Sequence, residues 1–282
     1  MSIRTVATKD FLDARRAKIV WLVGSHYALL IGVFFLQVRL DGLEGQSGLF
    51  AALWNMVFVG AVFVPAIALV AAYLAIAGER ESGSIKYLLS TPVSRRDVVI
   101  GKYVSRAGIV AASLLTGFAL AALLTVAWFE SFQVSVFAGV VFLTVVYALA
   151  YVGVAIAISA VTASRSRAML GALGFYFATN VMTLNDDVSG LAGLEYVLNE
   201  VLGLRIADDA IQFIGMVTNP TRAYLVATIG VFPESMTEAT ELPTAADLSW
   251  YVQPEVAVIV LIGWLIVPVV FGLRRFKRAD LS

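Results

Sequence analysis

The 282-residue chain has no cysteine and only one histidine. These absences exclude disulfide scaffolds, zinc fingers, iron-sulfur clusters, cysteine nucleophiles and any metal site built from Cys and His ligands. Charge is also scarce, because only 14% of the residues are Asp, Glu, Lys or Arg. The 20 basic and 20 acidic residues cancel, so no net charge attracts the chain to nucleic acid, and we expect no nucleic-acid partner.

Apolar residues are abundant instead, at 60% of the chain. A soluble domain has an apolar share nearer one half and a charged share nearer one quarter, so the composition indicates a membrane protein. Six stretches approach the roughly 20 residues that a helix needs to cross the hydrocarbon core. They lie near 19–38, 50–77, 107–129, 134–162, 168–184 and 256–273. Because lipid leaves no backbone group unpaired, such runs must be helices, and we predict an all-α integral membrane protein with six transmembrane helices.

The charges divide sharply between the segments that connect these spans. Seventeen of the 20 Lys and Arg residues lie in the N-terminal segment, in the 78–106 loop, between spans four and five, or after span six. Most acidic residues lie in the other connections. By the positive-inside rule, the sequence predicts a multi-pass protein of the cell membrane with both termini in the cytoplasm.

Residues outside the five-span region 19–184 form three further segments. Residues 1–18 carry apolar side chains at helical spacing among basic ones, which predicts a cytoplasmic interfacial helix. Residues 185–252 form a predicted extracytoplasmic loop, in which Asn219, Pro220 and Arg222 interrupt two short apolar runs. We interpret these runs as a re-entrant or interfacial hairpin rather than a seventh span. Residues 253–282 contain span six and a basic cytoplasmic tail.

The loop between spans two and three, residues 78–106, has the pattern of two short helices separated by a break. Ser82 or Ser84 is positioned to cap the first helix, whose Ile85, Leu88 and Leu89 share one face. Thr91 followed by Pro92 ends that helix, since a proline disfavours helical conformation at the residue before it. The spacing of Ser94 and Asp97 predicts a capping box that begins the second helix. The first helix is therefore either a lever that a partner can grip or a simple interfacial anchor.

The same loop resembles the coupling-helix signature of type 2 ABC transporter permeases, in the group that includes the copper-accessory permease of nitrous-oxide reductase maturation. An acidic-basic-acidic cluster precedes a Gly-Ser step, paired leucines, a Pro-x-Ser-Arg turn and a Gly-Lys pair. The matching residues are Glu79, Arg80, Glu81, Gly83, Ser84, Leu88, Leu89, Pro92, Ser94, Arg95, Gly101 and Lys102.

The resemblance implies a permease subunit of an ATP-driven exporter, with residues 82–92 docked in a groove of a separate P-loop ATPase. Leu88 and Leu89 would be the buried anchors of that contact, and Glu79 and Glu81 would pair with Arg80, Arg95 or the partner. The chain contains no Gly-x-x-x-x-Gly-Lys-Ser/Thr motif, so we expect ATP and Mg on the ATPase and no cofactor or catalytic residue on this chain.

Other functions remain open from the residues alone. A membrane assembly or scaffold protein and an ATP-independent channel have similar spans. A proton-coupled transporter is disfavoured, because no charged residue lies in the middle of a predicted span. The glycines Gly171 and Gly174 suit close helix packing within one chain or between two permeases, as a homodimer or a heterodimer.

Overall fold

The computed structural model describes residues 3–16, 19–43, 45–129, 132–181, 183, 190–233 and 248–280. In these ranges every regular element is helical. In chain order the helices are α1 (Ile3–Arg16), α2 (Ile19–Leu40), α3 (Gly45–Ala72), α4 (Ala77–Glu81), α5 (Ser84–Leu89), α6 (Arg95–Trp128), α7 (Val134–Val161), α8 (Arg165–Tyr176), α9 (Gly190–Glu195), α10 (Asp208–Thr218), α11 (Pro220–Ile229) and α12 (Pro254–Arg278). Single π-helical turns continue α8 to Val181 and α9 to Val201.

Among the described residues, four helical stretches are long and apolar enough to cross a membrane. They are Ser47–Glu81, Arg95–Trp128, Val134–Val161 and Pro254–Arg278. These stretches correspond to predicted spans two, three, four and six. The first predicted span lies on α2, and the fifth lies on α8 and its π turn, although its last residue, Leu184, is outside the described residues. The chain is thus a multi-pass membrane protein, and the count of six spans stays a prediction.

Helix α7 is the centre of the bundle. Its residues 150–157 are all buried, and its neighbours include α3, α6, α11 and α12. The sequence of α7 is apolar around its whole circumference, which is the pattern of a helix that is enclosed by other helices. Helix α8 differs, because its inward contacts are few and its apolar side chains Leu170, Leu173 and Phe177 are exposed.

The N-terminal helix α1 packs against the start of α6. Val6 and Asp10 of α1 are buried there, at 5% and 6% exposure, whereas Phe11 and Leu12 face outward. The predicted apolar stripe therefore does not form one surface, since Val6 contacts the rest of the protein whereas Phe11 faces outward. Residues 1, 2, 17 and 18 of the predicted interfacial segment lie outside the described residues.

The predicted hairpin in the 185–252 segment corresponds to two separate helices, α10 and α11, of 11 and 10 residues. Neither reaches the length of about 17 residues that a membrane span requires. They meet at Asn219, whose side-chain oxygen accepts hydrogen bonds from the backbone N–H groups of Thr221 and Arg222 and so begins α11. Residues 185–189 and 234–247 of the predicted extracytoplasmic loop lie outside the described residues.

Candidate functional site

The candidate site is the coupling segment, residues 77–94, at the end of the bundle where the basic residues cluster. Gly83 separates α4 from α5 and is the N-cap of α5, with a left-handed φ of 75° that favours glycine. The prediction that Ser82 or Ser84 caps α5 is wrong, because the N-cap is Gly83 and, among backbone groups, the Ser82 hydroxyl accepts only from Ser84 N, at 3.5 Å. Instead the two hydroxyls lie 3.0 Å apart, and Ser84 donates to the carbonyl of Glu79.

The end of α5 and the start of α6 follow the sequence prediction. α5 ends at Leu89, and the Thr91 hydroxyl donates to the carbonyl of Leu88 before the exposed Pro92. Ser94 then caps α6: its hydroxyl oxygen accepts from Asp97 N, while the Asp97 carboxylate accepts from Ser94 N at 3.0 Å. The capping box is confirmed, and it gives α6 a defined first residue directly after the coupling segment.

A buried charge cluster joins α1, α4 and α6. Lys102 on α6, only 3% exposed, donates to Glu79 at 2.8 Å and to Asp10 at 3.2 Å. Arg106, one turn further along α6, binds the Asp10 carboxylate through Nε at 2.8 Å and Nη2 at 3.0 Å. Its third nitrogen donates to the carbonyl of Ala71 at the end of α3. Two carboxylates and two cations from three helices therefore form one connected ion-pair network.

Sequence reasoning missed Asp10 and did not name Lys102 as a partner of Glu79. Glu79 pairs with Lys102 rather than with Arg80 or Arg95. Burial alone would raise the pKa of Asp10, but the charges of Lys102 and Arg106 outweigh it and lower the pKa below its ordinary value. Asp10 is therefore ionised at neutral pH. Its signal in the sequence was an acidic residue between the apolar positions of α1.

Arg80 and Arg95 each bind the carbonyl oxygens at the end of another helix. Arg80 Nη1 donates to the carbonyls of Thr162, at 2.9 Å, and Ala160, at 3.3 Å, where α7 ends. Arg95 Nη1 lies 2.7 to 2.9 Å from three carbonyls at the end of α12, to which it donates. Such contacts satisfy backbone groups that a helix end leaves unpaired and favour the negative end of its dipole. They attach the coupling segment to α7 and the first residue of α6 to α12.

Two further contacts attach α4 to its neighbours. The Ser159 hydroxyl of α7 accepts hydrogen bonds from Ile76 N and Ala77 N, both at 2.9 Å, at the break between α3 and α4. The Glu81 carboxylate accepts from the backbone N–H of Arg165, the first residue of α8. Ser159 was not singled out from the sequence, because nothing in its local pattern indicates a distant partner 82 or 83 residues away.

Helix α5 presents one face to the protein and one to its surroundings. Ile85 is buried at 2% exposure, and Leu88 and Leu89 are partly buried against the same core. Part of each leucine side chain therefore contacts the core of this chain and is not exposed to a partner. Tyr87 is 80% exposed on the opposite face, beside the exposed Lys86. Tyr87 is the large side chain that a partner could cover, and sequence reasoning missed it because only the leucines followed the apolar spacing.

Gly101 is the point where α1 contacts α6. A Cβ at this position would lie 2.8 Å from Val6 Cβ, closer than side chains approach one another. The absence of a side chain thus lets α1 approach closely enough for Asp10 to reach Lys102 and Arg106. Gly101 therefore belongs to the same assembly as the charge cluster.

We expect Gly101→Ala to push α1 away from α6 and to lower the free energy of unfolding by about 1–3 kcal/mol. Gly108→Ala is the matched control on the same helix, because a Cβ there meets no atom within 4 Å. It should be neutral or stabilising by up to about 1 kcal/mol through its better helix propensity. Limited proteolysis of residues 3–16 and detergent unfolding measure both effects. Equal stability of the two variants would contradict the close contact.

A second assembly of polar groups, the tyrosine cluster, is buried in the middle of the bundle. It comprises Thr144, Tyr147, Tyr151, Thr179, Asn180, Thr221 and Tyr224, all 5% exposed or less. The Tyr147 and Tyr151 hydroxyls each lie 2.8 Å from the Thr221 hydroxyl of α11. Tyr147 also donates to the carbonyl of Ala61 on α3, and Tyr151 donates to Thr179. Together these bonds join α3, α7, α11 and the π turn after α8.

The tyrosine cluster positions the α10–α11 pair. The Tyr224 ring stacks on the Tyr147 ring with centroids 4.3 Å apart, and its hydroxyl lies 2.9 Å from that of Thr144. The Asn219 amide donates to Thr183 and to the carbonyl of Thr179. The junction between α10 and α11 therefore contacts the middle of the long helices rather than the ends of the bundle.

Comparison with known proteins gives a consistent result over nearly the whole chain. Residues 4–281 match the family described as ABC-2 family transporter protein. The probable ABC transporter permease protein NosY of Stutzerimonas stutzeri is 26% identical over 278 residues, which cover 97% of each chain. The protein of the same name from Pseudomonas aeruginosa is 26% identical over 256 residues, covering 87% of this chain and 90% of that one. This multi-pass membrane protein belongs to the ABC-2 family of transporter proteins.

Proposed function

We propose that this chain is the membrane-spanning permease subunit of an ATP-driven ABC exporter, and that a separate P-loop ATPase drives it through residues 82–92. The observation that carries the proposal is the set of attachments around the coupling segment. The segment bonds directly to α7 and α8, and to α1 through Lys102, while Arg95 directly after it bonds to the end of α12.

These attachments suit a part that transmits force. Most of them are charge-assisted hydrogen bonds, which are roughly twice as strong as neutral ones and have a defined direction. A displacement of α5 would therefore move the ends of several long helices together instead of bending one loop. An interfacial anchor alone would require only apolar contacts with lipid.

The exposed face of α5 supports the docking part of the proposal. Tyr87, Lys86, Ser90 and Pro92 are all exposed. Exposed aromatic residues are enriched among the side chains that contribute most to protein–protein binding. We therefore assign Tyr87 as the anchor in the ATPase groove, with the free edges of Leu88 and Leu89 at the margin of the contact.

The charge distribution supports a cytoplasmic location for this surface. The coupling segment lies at the same end as the basic N-terminal and C-terminal segments, and the positive-inside rule places that end in the cytoplasm. ATP and Mg would then bind to the ATPase on the same side of the membrane. The proposal includes both termini in the cytoplasm.

Helix α8 supports the pairing of two permeases. Leu173 in α8 and Phe177 directly after it are 48% and 50% exposed. Apolar side chains exposed on two membrane helices allow those helices to pack against each other. We propose that α8 contributes to a dimer of permeases, either of this chain or with a related one.

The experiment is co-purification with a candidate P-loop ATPase. We expect Tyr87→Ala to weaken the complex by about 2 kcal/mol, or roughly 30-fold in Kd, because it removes the largest exposed side chain of α5. Because position 87 is exposed, the substitution should not unfold the permease. Affinity capture from detergent and the transport-stimulated ATPase rate both measure the change.

Tyr196→Ala is the matched control, because Tyr196 is also a strongly exposed tyrosine, at 62%, but lies in the predicted extracytoplasmic segment. It should bind the ATPase as the wild type does. Equal affinity of the Tyr87→Ala variant and the wild type would count against docking through α5. Activity without any ATPase would instead support an ATP-independent channel or a scaffold.

A further inference from the structure

Two adjoining cavities run along α12 on the side where α7 and α8 face it. The first, here called the apolar groove, has a volume of about 810 Å³ and lies between α7, α8 and α12. Its lining is apolar, and the one ring nitrogen in it, Trp264 Nε1, already donates to the carbonyl of Val217 at 3.0 Å. The groove therefore offers nothing to a polar ligand and suits hydrocarbon.

The second cavity, here called the arginine pocket, has a volume of about 500 Å³ and continues from the first at the basic end of the bundle. The two cavities share Val161 and Phe271 in their linings. Among the residues that the structure describes, Arg80, Arg275 and Arg278 line the arginine pocket with a single acidic residue, Asp280. Three cations against one anion give it a net positive charge, which favours a phosphate group.

The dimensions match one leaflet of a bilayer. The lining residues of the apolar groove on α12 extend from Val260 to Phe271, a helix rise of about 16 Å at 1.5 Å per residue. One leaflet contributes about half of the roughly 30 Å hydrocarbon core. An acyl chain in the groove would thus reach about the middle of the membrane, with its headgroup at the arginines.

We propose that these two cavities form one binding site for an anionic phospholipid, with its phosphate in the arginine pocket and an acyl chain in the apolar groove. Basic pockets between membrane helices, next to the polar boundary, are suited to anionic headgroups. The continuity of the two cavities favours a lipid over a free phosphate, which would leave the groove uncovered. It also favours a lipid over a helix of a second chain, which would leave the arginine charges unpaired.

The site has a structural consequence for the coupling segment. Arg80 lines the arginine pocket and also binds the carbonyls at the end of α7. Arg95 binds the backbone carbonyls that end α12, close to Arg275 and Arg278 in sequence. A bound phosphate would therefore contact the same helix ends that the coupling segment holds together. This proposal requires only that the chain spans the membrane, so it can fail while the proposed ATPase coupling stands.

The test measures lipid association in vesicles of phosphatidylcholine with spin-labelled phosphatidylglycerol or spin-labelled phosphatidylcholine as the probe. The wild type should restrict the motion of phosphatidylglycerol more than that of phosphatidylcholine. Arg275→Gln combined with Arg278→Gln should lower this selectivity roughly 30-fold, since each basic residue adds about a fivefold preference for anionic lipid. Equal restriction of both probes by the wild type would overturn the proposal.

Gly263→Leu tests the groove separately. A Cβ at Gly263 meets no atom within 4 Å, so the larger side chain fills the groove without a clash. It should reduce phosphatidylglycerol association, whereas Gly108→Leu, at an equally open glycine outside the groove, should match the wild type. Unchanged phosphatidylglycerol association in Gly263→Leu would overturn the acyl-chain part and leave only a headgroup effect.

A crosslinking experiment tests the alternative occupant. The chain has no cysteine, so Gly263→Cys introduces a single thiol. Disulfide-linked dimers of this variant in the membrane would show that a second copy covers the groove, and would overturn the proposal. A monomeric product, together with the lipid selectivity above, would support it.

Discussion

Lys102→Met is expected to lower the free energy of unfolding by about 3–5 kcal/mol, the usual result of removing one partner from a buried ion pair. Lys102 is the cation that both Asp10 and Glu79 contact, and its side chain is 4% exposed. Methionine has a similar length but no charge, so Glu79 would lose its ion pair. Among the described residues no donor reaches the other oxygen of Glu79, which is already buried without a partner.

The consequence should extend beyond stability. Asp10 would retain Arg106, so α1 should remain near α6, whereas α4 would lose its ion pair with α6. We therefore expect the affinity for the ATPase to persist while its coupling to the permease is lost. Unfolding by a denaturing detergent in mixed micelles, followed by tryptophan fluorescence, measures the stability, and ATPase stimulation measures the coupling.

Two variants control this prediction. Lys86→Met removes an exposed lysine of the same segment and should change the stability by no more than about 0.5 kcal/mol. The double variant Lys102→Met with Glu79→Gln should recover part of the loss, because the remaining amide carries no unpaired charge. A loss below about 1 kcal/mol in Lys102→Met would mean that the charge cluster is solvated and contributes little.

Tyr224→Ala is expected to cost about 3–5 kcal/mol, the range for truncating a large buried aromatic side chain. The Tyr224 ring is fully buried and stacks on Tyr147, so its removal leaves a cavity beside α7. It also leaves the Thr144 hydroxyl without its contact to Tyr224. We expect α10 and α11 to become loosely held, and amide hydrogen exchange over residues 208–229 to increase.

Tyr224→Phe separates the two contributions of this side chain. It retains the stacked ring and removes only the hydroxyl, so it should cost about 1 kcal/mol. Exchange over residues 208–229 should then resemble that of the wild type. If alanine and phenylalanine produced the same small effect, the tyrosine cluster would not be what holds α11 against α7.

For the basic residues, the sequence predicts the side of the membrane but not which of them are buried. Their distribution predicts which end of the bundle faces the cytoplasm. For that prediction, Lys102 and Arg106 are equivalent to every other Lys or Arg on the same side. The structure distinguishes them from exposed Lys86 and Arg96, because Lys102 is buried and Arg106 is partly buried where they bind Asp10. The distinction depends on α1 folding back over α6, which brings together residues 92 and 96 positions apart.

Local motifs could be predicted from the sequence more readily than contacts between distant residues. The capping box of Ser94 and Asp97 could be predicted because both residues belong to one helix turn. The roles of Ser159 and Tyr224 could not be predicted, because their partners belong to other helices. The capping of α5 was predicted wrongly, since a serine on either side of a glycine suggests a side-chain cap while the left-handed backbone at Gly83 supplies the turn.

The sequence by itself determined that this is a helical membrane protein with a loop that resembles a coupling helix. The membrane location follows from composition, the helical class from the period of the apolar residues, and the loop from spacing within one helix turn. Only the tertiary structure decided which charges are buried together, which face of α5 is exposed and how deeply α11 enters the bundle. These properties depend on which helices become neighbours. Apolar helices can pack against one another in many pairs, and close contacts such as that of Gly101 with Val6 select the observed pairs.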